Sequence, residues 1–263
     1  SGNNCSTDAN WDNDTKPVTG DDIVLDATST KAMTWDSGCP SMVNSFSMNT
    51  GYTGTVTIAT TYSGGFQTFT VTNNVTINAG TMNHSDNSAT ETYKLKLNVG
   101  GNLTVGASGS INVTGLGYDP GNGPGAGGSY DGGSHGGVGA DSNGDSVVGV
   151  TYGSVVSPTT LGSGSNAFKG GEGGGVVEIA VSGLTTLNGT IIASGRPSPT
   201  YNRAAGAGGS VFITTGSISG SGYARAAGGA TGGGYGCGGG GRISITLTSQ
   251  DANFAGFSGS FTA

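Results

Sequence analysis

The chain has 263 residues, 55 of them glycine, about three times the usual globular share. Only 10% are charged, and 9 Lys+Arg against 16 Asp+Glu leave a net charge of −7. This balance excludes nucleic-acid binding, which needs clustered cations to neutralise phosphates. The glycine content excludes a helical protein, and no apolar run approaches the ~18 residues of a transmembrane segment.

Nine of the glycines fall in the first hundred residues. The composition therefore divides the chain into an N-terminal β region, 1–99, and a glycine-rich region, 100–263. In the first, residues 22–26 (DIVLD), 54–60 (GTVTIAT), 67–72 (QTFTVT), 74–78 (NVTIN) and 93–99 (YKLKLNV) alternate apolar with polar or β-branched side chains. A period of two turns one face inward, as a half-buried strand requires. Nowhere does an apolar period of 3.6 run long enough for a helix, so the chain is expected to be all-β.

The second region carries an imperfect repeat. Units starting at Gly100 (GGNLTV), Gly174 (GGVVEI), Gly208 (GGSVFI) and Gly240 (GGRISI) each open with Gly-Gly and enter a β-branched strand, a polar corner and a second short strand. Spacings of this size mark stacked coils in which each backbone pairs with the next. The stack predicts an interior of Val177, Ile179, Val181, Leu184, Leu187, Ile191, Val211, Ile213, Ile218, Ile243, Ile245 and Leu247. The tracts 121–139 and 228–241 have almost no side chains to bury. Their order has to come from close backbone approach and hydrogen bonding, in polyproline-II-like segments packed on one another or on a neighbouring subunit, or from loops held by outside contacts.

Trp11, Pro17 and Gly20-Asp21, then GGNLTVGASGSINVTGLGY from Gly100 and the later Gly-Gly strand units, resemble the β-solenoid repeats of large bacterial surface proteins. Autotransporter passengers and filamentous-haemagglutinin-like adhesins are of this type. The resemblance implies a right-handed parallel β-helix and a role outside the cell, and it carries no catalytic residues.

Three cysteines in so polar a chain suggest an oxidising compartment. Cys5 and Cys39 are the natural disulfide, and Cys237, in YGCGGGG, is left as a free thiol or an intersubunit bridge. Calcium is the most plausible cofactor. Asp8, Asn10 and Asp12, and again Asp141, Asn143 and Asp145, put oxygen side chains at alternate positions of a turn, although neither run completes an EF-hand loop. Tyr118, Tyr130, Tyr152, Tyr201, Tyr223 and Tyr235 lie in glycine-rich surroundings where aromatics can stack on sugars or anchor a protein. Seven Asn-x-Ser/Thr sequons are compatible with a glycosylated surface protein. His135, in GGSHGG, reads as a solvated loop residue.

No nucleotide loop or histidine-based triad is present. The expected function is that of a secreted structural protein, a non-enzymatic subunit that assembles with its own copies into an extracellular filament, sheath or surface layer. The alternative is an adhesin or carbohydrate-binding module that recognises cell-surface glycans through the tyrosine loops. A third reading is a polysaccharide-degrading enzyme, for which acids and Arg196, Arg203, Arg225 and Arg242 would have to converge in a groove.

Overall fold

The computed structural model describes residues 3–29, 31–166, 170–198, 203–231 and 234–263. Among the described residues two 3-10 turns, Asp8–Asn10 and Asp12–Asp14, precede fifteen strands, and every pairing between those strands is parallel. In chain order the strands are β1 (Asp22–Leu25), β2 (Met33–Trp35), β3 (Met42–Val43), β4 (Ser45–Met48), β5 (Thr55–Ile58), β6 (Phe69–Val71), β7 (Val75–His84) and β8 (Leu95–Val99). They continue as β9 (Leu103–Asn112), β10 (Val176–Leu187), β11 (Thr190–Ile192), β12 (Ser210–Ser219), β13 (Tyr223–Arg225), β14 (Arg242–Leu247) and β15 (Ser260–Thr262).

The pairings form three ladders. One runs β3, β6, β8, β10, β12, β14. The second runs β1, β4, β7, β9, β10, β12, and the third runs β2, β5, β7, β9, β11, β13, β15. The long strands β7, β9, β10 and β12 belong to two ladders each, so they carry the chain around a corner without breaking backbone pairing. Alternation does what the sequence requires of it: β7 reads buried at Val75, Ile77, Ala79, Met82 and His84, and β8 at Leu95, Leu97 and Val99. The inward residues of all three ladders share one core, whose N-terminal end is an aromatic column of Trp11, Trp35, Phe46, Phe69 and Phe66 in edge-on or tilted contact.

The repeat spacing reappears as register. Val176 lies opposite Ser210 and Ser210 opposite Arg242, offsets of 34 and 32 residues. The Gly100 unit is displaced. Leu95–Val99, before that Gly-Gly, pairs with Val177–Val181, and Leu103 pairs with Thr185. Gly100-Gly101 is a corner equivalent to Ser182-Gly183, as the Gly183 N–H to Gly101 carbonyl bond shows. Here asparagines follow one another across the paired strands: the Asn73 amide donates to Asn44 (2.6 Å), Asn102 N–H to the Asn74 side chain (2.8 Å) and Leu184 N–H to the Asn102 side chain (2.8 Å).

Most of the expected interior is buried. Leu184 is half-exposed because a register shift between Val181 and Leu184 turns Thr185 inward, where its hydroxyl bonds Thr215 at 2.9 Å. Ile243, Ile245 and Leu247 are also half-buried, since β14 has no strand on its outer side among the described residues.

Three glycine-rich excursions, residues 113–175, 193–209 and 226–241, leave from Asn112, Ile192 and Arg225 and return at Val176, Ser210 and Arg242. Those departure points are register neighbours, and so are the return points. The described parts of the excursions therefore lie against one another. Residues 204–209 run through the middle, fully buried, and their hydrogen bonds point to three sides in turn. Ala205 and Gly208 bond the 133–135 and 236–239 segments. Gly206 and Gly209 bond residues at 193–196 and, at Gly206, 229. Ala207 bonds 163 and 174. The glycine tracts are thus ordered within one chain, by neighbours that a Cβ would displace: at Gly132 it would collide with the Cys237 carbonyl, at Gly173 with that of Gly162, and at Gly238 with that of Gly206.

Candidate functional site

Cys5 and Cys39 form a disulfide with Cα atoms 6.0 Å apart. It fixes the first residues over the end of the core: Cys5 N–H bonds the Thr34 carbonyl, Thr34 N–H bonds the Asn3 carbonyl, and the Trp11 indole donates to the Cys5 carbonyl at 2.7 Å. Beside this cap is a hollow of about 730 Å³ whose lining includes Trp11, Ile23, Met33, Asp12, Asp21 and Asp26. Asp8 and Asn10 lie in the first 3-10 turn and Asp12 opens the second. Asp8 accepts the Lys16 N–H (3.2 Å) and Asn10 donates to the Asn4 carbonyl (2.7 Å), so both side chains close turns.

The second acidic run lies in the first excursion. Asp141 accepts the N–H groups of Gly144 (2.7 Å) and Ser146 (2.9 Å), Asn143 donates to the Ser129 carbonyl (3.0 Å) and to Asp145 (2.9 Å), and Asp145 accepts Val147 N–H (2.8 Å). The loop folds back on a residue that spacing did not single out. Asp131, fully buried, accepts Ser142 N–H at 2.9 Å and places a carboxylate oxygen within 4.8 Å of oxygens from Asp141 and Asp145. Its Oδ2 is buried with no hydrogen-bond partner. No local signal marks Asp131, ten residues before Asp141 in YDGG.

Both histidines are buried and hydrogen-bonded. His84 is buried at the end of β7: its Nδ1 bonds the Ser85 carbonyl (2.7 Å) and its Nε2 accepts Val176 N–H (3.1 Å), which fixes the neutral ring with its proton on Nδ1. Burial lowers its pKa to about 4. His135 is fully buried, not solvated as its glycine surroundings suggested. Nδ1 bonds the Gly208 carbonyl (2.8 Å), Nε2 bonds the Thr160 hydroxyl (2.9 Å), and the ring lies 4.8 Å from Tyr152. Burial brings its pKa down to about 4 as well.

The loop tyrosines divide by environment. Tyr118 is buried, and Tyr152 donates to the Leu161 carbonyl (2.5 Å) and pairs with the Ser163 hydroxyl. Tyr130 and Tyr235 meet in a tilted contact with ring centroids 5.4 Å apart, and Tyr223 stands exposed on β13. Tyr201 lies outside the described residues. Cys237 is exposed, with its sulfur 3.5 Å from the Thr231 hydroxyl.

Two clusters of charge remain. Glu178 bridges Lys94 (2.7 Å) and Lys96 (3.0 Å); burial raises its pKa, but the two lysines outweigh that and hold it low. Glu172 pairs with Arg196 at 2.6 Å, and burial raises both it and nearby Asp86. Arg242 is directed elsewhere, to the Tyr152 carbonyl (3.0 Å), and Arg225 lies on β13.

No protein-family model, curated protein or solved structure matches this chain. Among the described residues no helix is long and apolar enough to cross a membrane.

Proposed function

We propose that this chain is an extracellular structural module: a right-handed parallel β-helix whose glycine excursions form a polyproline-II-like layer, and which joins to its own copies. The three parallel ladders around one core support the β-helix. The period of three in the hydrogen bonds of 204–209 supports the polyproline-II comparison. A disulfide in place of a large hydrophobic N-terminal cap fits an oxidising location.

The observation that carries assembly is the difference between the two ends. At the first, the Asn3–Cys5 backbone covers β2, Trp11 covers the core, and Asp21, Asp22 and Asp26 fringe β1. Charge of this kind blunts a strand edge. At the other, β14 and β15 present their outer edges beside a hollow of about 320 Å³ lined by Ile243, Ile245, Phe254, Phe261 and Ala263, with Phe257 stacked on Phe261 at 4.7 Å. Such an edge recruits strands. The contact we propose is two-fold, the β14–β15 edge of one copy against the same edge of another. A second two-fold contact through exposed Cys237 would extend the pairs into a filament, because two isologous contacts alternate along a chain.

Sedimentation velocity over a hundredfold concentration range, with and without reductant, tests this. The expected result is a pair that persists in reductant, longer oligomers without it, and, in reductant, a monomer for Phe261→Lys. A wild-type monomer at every concentration would sink self-assembly.

The hollow beside Trp11 favours a second reading, glycan binding, since an indole next to carboxylates suits a sugar ring and its hydroxyls. A glycan screen with Trp11→Ala as the control tests it.

A further inference from the structure

We infer that Asp131, Asp141 and Asp145 form a calcium site that pins the outer glycine layer. Two oxygens bound to one calcium at about 2.4 Å can be no more than about 4.8 Å apart. The three carboxylates meet that limit mutually. The ion pairs described in the molecule, Lys94 and Lys96 with Glu178 and Arg196 with Glu172, use none of them.

The independent observation is Asp131. Its carboxylate is entirely withdrawn from water, yet Oδ2 meets no donor while Oδ1 takes the Ser142 N–H. An oxygen left unpaired in this way carries a desolvation cost that a cation would remove. The backbone at this position is committed on both sides: Asp131 N–H bonds the Gly128 carbonyl, and Gly132 N–H bonds the Ala140 carbonyl. The carboxylate is held where it is, and the loop bearing Asp141 and Asp145 closes over it.

Oxygen donors without a histidine or thiol ligand select a hard cation. A cluster partly made by an exposed loop suits calcium, which tolerates irregular coordination, better than magnesium, which demands an octahedron. The site would also act at a distance from the ion. Gly236 N–H bonds the Tyr130 carbonyl and Ala140 N–H bonds the Cys237 carbonyl, so fixing 129–147 fixes the segment that carries Cys237.

Isothermal titration of the chelator-treated full chain with calcium, and separately with magnesium, is the test. We expect one calcium per chain with affinity on the order of 0.1 mM, as in extracellular modules, and weaker magnesium binding. Asp131→Asn and Asp141→Asn should each weaken calcium at least tenfold while Asp12→Asn leaves it unchanged. Terbium luminescence sensitised by the Tyr130–Tyr235 pair should fall in the same two variants. Asp141 is exposed, so its variant keeps the fold and decides the matter alone if Asp131→Asn does not fold. No binding up to about 5 mM calcium, above the range of such modules, overturns the inference. So does binding that survives Asp141→Asn or is lost in Asp12→Asn.

Discussion

Replacing Gly206 by alanine probes the packing of the glycine layer directly. The new Cβ would collide with the Glu172 carbonyl group and lie 2.8 Å from the Gly173 nitrogen, both backbone atoms that no rotamer change can move. Relief requires residues 170–175 and 204–209 to separate. That stretches Gly171 N–H to Ala204 (2.9 Å) and Gly174 N–H to Ala207 (2.8 Å), both between buried residues. Overpacking costs about 1–3 kcal/mol, and each buried group left unpaired adds about 1–3 kcal/mol. We expect a loss of roughly 3–6 kcal/mol, or a fall in Tm of roughly 10–20 °C for a chain of this size. The control is Gly65→Ala, where a Cβ meets nothing within 4 Å and φ is not positive. It should be neutral or stabilising by up to about 1 kcal/mol. Urea unfolding followed by circular dichroism compares the two. If Gly206→Ala fell within 0.5 kcal/mol of Gly65→Ala, about the spread of ordinary surface substitutions, the backbone-packed layer would be refuted.

Three further outcomes follow from the geometry. His84 and His135 have folded-state pKa values lowered to about 4 from 6.5, so the unfolded chain binds more protons between these values. Their contribution is complete above pH 6.5 and is lost as pH falls through 4, about 2 kcal/mol per histidine between pH 7.5 and 5; ring proton resonances that titrated near pH 6.5 would contradict it. Joint Cys5→Ser and Cys39→Ser substitution opens a loop with a sequence separation of 34 residues and should cost about 4 kcal/mol on the chain-entropy estimate, measured as a lower urea midpoint; an unchanged midpoint would show that the cap holds without it. Ile245→Lys, on β14, should abolish pairing between copies in sedimentation under reducing conditions while leaving the circular dichroism spectrum unaltered; a pair persisting in reductant would move the interface elsewhere.

Strands 22–25, 55–58, 69–71 and 95–99 were legible because period-two alternation is a local property of the residues. β3, of two residues, is too short for a period to show, and β2 and β4 were not singled out. The spacing of 34 and 32 residues survived as register, whereas Gly100 was matched to the wrong corner because Gly-Gly serves both corners of a coil. The fate of the glycine tracts depended on which coil corners they leave from, a long-range fact that composition does not contain. His135 illustrates the same limit: GGSHGG suggests water, and only the Gly208 carbonyl and Thr160 hydroxyl, 73 and 25 residues away, give the ring its burial. Of the candidate cation ligands, Asp141 and Asp145 were visible as alternating oxygens. Asp131 was not, because its approach depends on the chain doubling back.

The coincidence of departure and return points along the three excursions inverts the usual distribution of mutational tolerance. Connections between strands ordinarily absorb insertions and substitutions, and variation in the strands is what damages a fold. Here the outward faces of the ladders are free to change, while at Gly132, Gly173, Gly206 and Gly238 any other residue adds a carbon where a neighbouring carbonyl already stands. Lengthening one excursion would shift its contacts against both neighbours at once. Divergence in such a protein would therefore proceed by gain or loss of a whole set of paired strands with its excursion, more readily than by drift within the layer.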